Sequence, residues 1–182
     1  MRTIPGMVVI NPCDDIEARQ AVFAAAEYVG PVYMRFGRLA VPVVNSEDYK
    51  FELGKGVTLK EGSKVSIIAT GLMVARALEA AEQLEQKGIS ARVINIHTIK
   101  PIDKDIIIKA AKETDFIVTC EEHNVIGGLY SAVTEVTSQY APCKVVPVAV
   151  MDTFGKSGPA AQLLDVFGLN AEGIVNKVME NI

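Results

Sequence analysis

An α/β fold, a mostly parallel sheet covered by helices on both faces, is predicted by three features of this 182-residue sequence. Short β-branched runs such as Val65–Ala69, Arg92–Ile96, Phe116–Cys120 and Val145–Val150 read as buried strands. Between them, apolar residues recur at helical spacing, as in Val74, Leu78, Ala81 and Leu84. Strands alternating with helices at this interval need crossover connections, which imply parallel strands.

The first strand, Met7 to Ile10, ends in Asn11-Pro12. Asp14 and Glu17 then form an Asp-x-x-Glu cap for a helix from about Asp15 to Tyr28, and Gly30-Pro31 stops it. A second strand, Val32 to Phe36, brings Arg35 and Arg38 to its C-terminal end. Such a βαβ unit is too small to cover its own sheet, so residues 1–44 are expected to be an arm belonging to something larger. The pattern then lapses. Prolines, glycines and charges alternate with Phe51–Leu53 and Val57–Leu59, and residues 45–62 are expected to be a linker with one or two short strands.

From about Ser63 the alternation is regular. Strand Val65–Ala69 leads to a helix closed by Lys87-Gly88, with a basic residue and then glycine at its end. Arg92–Ile96 is the next strand, Thr98 to Asp103 a turn, and Asp103 the cap of a helix reaching about Glu113. Strand Phe116–Cys120 is followed by a polar turn with Glu121, Glu122 and His123, then by Gly127-Gly128. Leu129, Val133 and Val136 form one stripe of the next helix. Strand Val145–Val150, a glycine-rich turn at Phe154–Gly158 and helices over Ala160–Phe167 and Ala171–Glu180 complete the chain. Residues 63–182 are expected to bury a core of their own.

Composition excludes several classes of function. With 49% hydrophobic and 22% charged residues the balance is that of a globular protein. A net charge of −4 and a pI near 5.3 argue against a nucleic-acid partner. No apolar run is long enough to span a bilayer and no signal peptide is visible at Met1, so no membrane partner and a cytoplasmic address are expected. Cys13, Cys120 and Cys143 are odd in number and lack Cys-x-x-Cys spacing, which speaks against disulfides or zinc. At buried strand ends they read as small hydrophobes.

Gly127-Gly128 lacks the surroundings of a Gly-x-Gly-x-x-Gly or phosphate-loop motif, so it reads as close packing where a helix starts beneath a strand. Gly155-Lys-Ser-Gly158 is half of a phosphate loop without the rest. Glu121, Glu122 and His123 suit either acid–base chemistry or a hydrogen-bonding cluster at a domain or subunit interface. With no nucleophile in view, the interface cluster is the preferred reading. His97 reads as the cap of a turn. Arg35 and Arg38 suit an anionic group such as a phosphate, with solvated surface arginines as the equal alternative.

Several motifs together resemble a known family. Arg2-x-Ile-Pro-x-Met, Pro12-x-Asp14 and Pro31-Val-Tyr-Met-Arg-Phe-Gly-Arg38 with Pro42 resemble the end of the pyrimidine-binding domain of transketolase. Lys100-Pro101-x-Asp103, Thr119-x-Glu121-Glu122-His123 with Gly127-Gly128, and Phe154-Gly-x-Ser157-Gly158 look like its C-terminal domain. The resemblance covers essentially the whole chain and is nearest to split transketolases, in which a separate subunit carries these two domains. Runners-up are 1-deoxyxylulose-5-phosphate synthase and the β subunits of 2-oxo-acid dehydrogenases.

The resemblance implies transfer of a two-carbon ketol unit between sugar phosphates, with thiamine diphosphate and a divalent metal in the complete enzyme. It implies that Arg38 matches the arginine holding the substrate phosphate, while Arg35 matches a synthase-like variant whose role stays open. The family's catalytic groups and cofactor pocket would lie upstream of Met1. No catalytic, cofactor-binding or metal-binding residue is therefore expected on this chain, which by itself should be inactive. A homodimer and a partner supplying the N-terminal transketolase portion are implied as well. The alternatives are a non-catalytic dimerising scaffold and, less favoured for want of its glycine signature, a free nucleotide-binding domain.

Overall fold

Strand and helix alternate along the chain, yet they fold into two sheets. The structure, a computed structural model, describes residues 1–38 and 40–182. In chain order the elements are β1 (Val8–Ile10), α1 (Asp15–Glu27), β2 (Val32–Met34), β3 (Val57–Lys60), β4 (Val65–Ala69), α2 (Met73–Gln86) and β5 (Ala91–Asn95). They continue with β6 (Thr98–Lys100), α3 (Lys104–Glu113), β7 (Phe116–Asn124), α4 (Leu129–Tyr140), β8 (Val145–Val150), α5 (Ala160–Val166) and α6 (Ala171–Met179).

The larger sheet has the order β3-β5-β4-β7-β8, parallel except for β3, which runs antiparallel to β5 at the edge. Every residue of β4 and β5 is buried, as expected for strands covered on both faces. Successive residues point to opposite faces. Ile67 packs with Ala77, Leu84, Ile174 and Val178 beneath α2 and α6, whereas its neighbour Ile68 packs with Ile107, Leu129 and Val133 beneath α3 and α4. The mostly parallel sheet with helices on both faces is thus the fold the alternation predicts. β3 precedes Ser63, so the segment read as a linker provides an edge strand.

The smaller sheet has the order β2-β1-β6. β1 pairs in parallel with β2 and antiparallel with β6, and Asn11 N donates to His97 O at 2.8 Å beside this junction. Thr98–Lys100, expected as a turn, is therefore the strand that closes the arm's sheet on one side. β7 also runs further than expected: Glu121, Glu122 and His123 lie within the strand, not in a turn.

The arm is tied down by a buried polar network. Asp14 Oδ1 accepts from Glu17 N at 2.9 Å, the expected cap of α1, and Oδ2 accepts from Val44 N, Asn45 N and Asn45 Nδ2 at 2.9, 2.8 and 3.0 Å. Burial pushes the Asp14 carboxyl up, but these hydrogen bonds outweigh it and hold the group below its ordinary range. Glu17, fully buried, accepts from Cys13 N at 2.8 Å, Tyr49 Oη at 2.6 Å and Asn95 Nδ2 at 2.8 Å. Burial pushes its carboxyl up despite those donors. A single helix residue thereby joins the arm, the connecting segment and β5. Among the described residues no helix is long and apolar enough to cross a membrane.

Candidate functional site

The C-terminal half of β7 gathers the polar residues singled out in the sequence. Strand alternation separates them: Glu121 and His123 line one cavity, while Glu122 lines another. Glu121 is 1% exposed, and its carboxylate accepts from Leu129 N at 2.7 Å and Tyr130 N at 2.8 Å. It therefore caps α4 from eight positions upstream and opposes the positive end of that helix. α4 needs this, because its N-cap position is Gly128, which has no side chain to offer.

Gly128 follows from the same contact. A Cβ on Gly128 would lie 1.9 Å from Glu121 Oε2 and 2.8 Å from its Cδ. Gly127 has φ +78°, a left-handed conformation that favours glycine. Close packing, as read from the sequence, holds for Gly128; at Gly127 an added Cβ would meet nothing within 4 Å, and only the backbone conformation favours glycine. Burial pushes the Glu121 carboxyl up against the opposing effect of the two amides.

Glu122 Oε1 pairs with Arg35 Nη1 at 2.5 Å, linking β7 to the end of β2. His123 is held down at about 4, chiefly by burial and then by the Arg35 guanidinium, so its imidazole is neutral near pH 7. The cavity that Glu121 and His123 line has a volume of about 360 Å³ and lies at the C-terminal ends of β1 and β7. Arg2, Asn11, Tyr33 and Arg35 complete its polar wall. Arg2 is positioned by Glu135 Oε2 at 2.6 Å and Gly127 O at 3.3 Å.

Arg38 is exposed just beyond β2. It lines a second cavity of about 330 Å³ with Glu122, Lys156, Leu163 and Phe167. Arg35 borders both cavities. Lys156 comes from the glycine-rich turn read as half of a phosphate loop, but nothing in that spacing signals that it meets Arg38.

His97 is fully buried just beyond the end of β5. Its Nδ1 lies 2.8 Å from Thr98 Oγ1 and its ring sits 4.3 Å from that of Phe51. Burial lowers it to about 4, with Asp103 opposing. Cys13 and Cys120 are buried and unpaired, and burial pushes both thiols up, which makes them poor nucleophiles. Among the described residues no group of three or more His, Cys, Asp or Glu could hold a metal ion. The residues present do not fit a divalent-metal site.

Residues 54–174 match the family model described as transketolase, C-terminal domain. The 6-deoxy-6-sulfo-D-fructose transketolase subunit SqwH of Clostridium sp. (strain MSTE9) is 43% identical over 180 residues, 99% of this chain and 56% of that protein. The 1-deoxy-D-xylulose-5-phosphate synthase of Heliobacterium modesticaldum is 38% identical over 183 residues, 99% of this chain and 28% of the synthase. A solved structure described as a split gene transketolase, inactive beta4 tetramer, superposes with a TM-score of 0.93 at 47% identity, covering 99% of this chain and 58% of that one. The chain thus spans little more than half the length of its transketolase relatives. By the match over most of its length, it belongs to the transketolase C-terminal domain family.

Proposed function

We propose that this chain works as the C-terminal section of a transketolase, in an enzyme that moves a two-carbon ketol unit from a ketose phosphate to an aldose phosphate. Residues 1–44 are the end of a pyrimidine-binding domain, 45–62 the connection, and 63–182 the C-terminal domain. A partner polypeptide supplies the N-terminal portion and holds the cofactor. Thiamine diphosphate, bound there with a divalent metal, serves as electron sink for the transferred unit. The chain's own contribution is to bind and orient substrate, and the setting is the cytoplasm.

The observation that carries this reading is Arg38, exposed beyond the end of β2 on a cavity that also has Lys156 on its wall. Two cations bordering one cavity favour a phosphate. In the complex reconstituted with an N-terminal transketolase subunit, Arg38→Ala is expected to raise KM for phosphorylated sugars roughly ten- to a hundredfold, the equivalent of one lost charge-assisted contact. Unphosphorylated analogues should change little. Equal losses for both would show that Arg38 does not face the phosphate.

A second reading, an inactive self-associating scaffold, is favoured by the apolar side chains the arm exposes: Phe23 at 62%, Val29 at 97% and Phe36 at 54%. The relative described as an inactive beta4 tetramer supports self-association in the absence of activity. Calorimetric titration of the isolated chain should show no micromolar binding of thiamine diphosphate; such binding would overturn the assignment of the cofactor to the partner.

A further inference from the structure

We infer that the cavity between the arm and α4 is a binding site for a small organic carboxylate with an apolar body. Its position is the first reason. It opens at the C-terminal ends of β1 and β7, where side chains from the two sheets converge, and the ends of parallel strands are where α/β folds bind ligands. At about 360 Å³ it falls within the range of small-molecule sites.

The polar groups on its wall select the charge. Arg2 and Arg35 both line the cavity, whereas the carboxylates that position them, Glu135 and Glu122, are not among its lining residues. Each guanidinium carries five N–H donors and each glutamate engages one of its nitrogens, so donors remain for an incoming oxygen. Asn11, 4% exposed and on the same wall, has a side-chain amide nitrogen with no hydrogen-bond partner among the described residues. An unpaired buried donor is costly, and a ligand oxygen would relieve it. His123 offers a neutral imidazole, which adds a polar contact without adding charge.

Glu121 sets the limit on that charge. Its carboxylate lines the cavity, and both of its oxygens are engaged by the first amides of α4. That fixed negative group is tolerable beside a monoanion gripped by arginine and repels a dianion such as a phosphate ester. Val9, Ile10, Ile99 and Leu129 supply the apolar part of the wall, and Ile126, 69% exposed, stands at the rim. A flat carboxylate held by a guanidinium, with a ring or alkyl body against these side chains, satisfies every group named.

The test is a titration of the isotope-labelled chain with benzoate, phenyl phosphate and benzyl alcohol, followed by amide and Asn11 side-chain resonances. Benzoate should shift Asn11, Gly127, Gly128 and Leu129 saturably in the millimolar range, with phenyl phosphate and benzyl alcohol clearly weaker. The double variant Arg35→Gln/Glu122→Gln removes the ion pair without leaving an orphaned charge, and it should weaken benzoate at least about tenfold, as loss of a charge-assisted contact requires. Arg2→Gln, whose partner Glu135 is exposed, gives a second reading should the double variant fail to fold, with a severalfold loss expected. The absence of saturable shifts overturns the inference. So do benzyl alcohol binding as tightly as benzoate, phenyl phosphate binding more tightly, or variants that bind benzoate like the parent.

Discussion

Substituting Gly128 by alanine tests the central contact of β7 and α4. Its φ of −91° suits any residue, so the penalty comes from the new Cβ, which would sit 1.9 Å from Glu121 Oε2. Glu121 is almost wholly buried and must give up its place, and with it the hydrogen bonds to Leu129 N and Tyr130 N. Hydrogen bonds to a charged group contribute about 1.5–3 kcal/mol each, so losing both at the lower figure costs about 3 kcal/mol. Alanine in place of glycine at an N-cap adds roughly 0.5–1 kcal/mol. In a Glu121→Ala background nothing collides with the new Cβ, and Gly128→Ala should then cost only the cap difference, at most about 1 kcal/mol. Urea unfolding of the four proteins of this cycle, with m-values compared to confirm a common transition, measures the coupling. A coupling of about 2 kcal/mol or more is expected. A cost for Gly128→Ala below about 1 kcal/mol, or equal in both backgrounds, would refute the argument that this glycine exists to admit the carboxylate.

Other consequences follow from the buried groups. Glu17 and Glu121 have folded-state pKa values raised by burial, so their contribution to stability is full below the ordinary glutamate value of 4.5 and declines as pH rises through the folded values. Glu17→Gln should flatten that decline in a pH series of urea midpoints, whatever offset it introduces; an unchanged slope would mean that Glu17 is ionised at no cost. His97 and His123 are lowered from 6.5 to about 4, so they remove stability as pH falls through that window, by at most about 3 kcal/mol each, and His97→Phe should shrink the acid limb. Tyr49→Phe deletes the 2.6 Å donor to Glu17 and should cost about 1.5–3 kcal/mol in thermal or urea unfolding. Sedimentation at micromolar concentration should give a dimer or larger species, because the arm exposes Phe23, Val29 and Phe36; a strictly monomeric mass would remove the basis for self-association.

The periodic parts of the fold were legible in the sequence, and the long-range parts were not. Strands β4, β5, β7 and β8 and the helices between them announce themselves by spacing, because covered parallel strands must be apolar throughout. Asp14 and Asp103 announce their helix starts because the cap lies within three residues of the donors it serves. β6 is different. Three residues, Thr98–Lys100, become a strand only because Val9 and Ile10 lie across from them, some ninety positions earlier in the chain. The polar side chains of Glu121–His123 suggest a turn, yet the backbone remains extended because Glu121 has α4 to cap and Glu122 has Arg35 to pair with. Glu17 shows the same limit. Its place as the acidic member of an Asp-x-x-Glu cap was readable, but its bonds to Tyr49 and Asn95 depend on where distant segments come to rest. At the candidate site, Arg38 stood out beside Arg35, while Lys156 reaches the same cavity from a turn that reads as half of a phosphate loop, and its meeting with Arg38 depends on where that turn comes to rest.

These long-range ties determine how the arm relates to the larger unit. Read locally, residues 1–44 have strands with no neighbours. In the fold, β1 is paired on both sides, Glu17 is bonded to β5, and Arg35 is bonded to Glu122 on β7. The ties differ in kind: a backbone ladder, a buried carboxylate with three donors, and a partly exposed ion pair. The first two resist salt and hold the arm in one register, whereas an ion pair at this degree of exposure contributes little to stability. What the pair does instead is geometric. It fixes Arg35 between the two cavities. Among the described residues the β2 edge is unpaired, and the arm exposes apolar side chains on α1 (Val22 and Phe23), on β2 (Tyr33) and in the segments beside them (Val29 and Phe36). The fold thus joins the arm to the larger unit and exposes apolar side chains away from that junction.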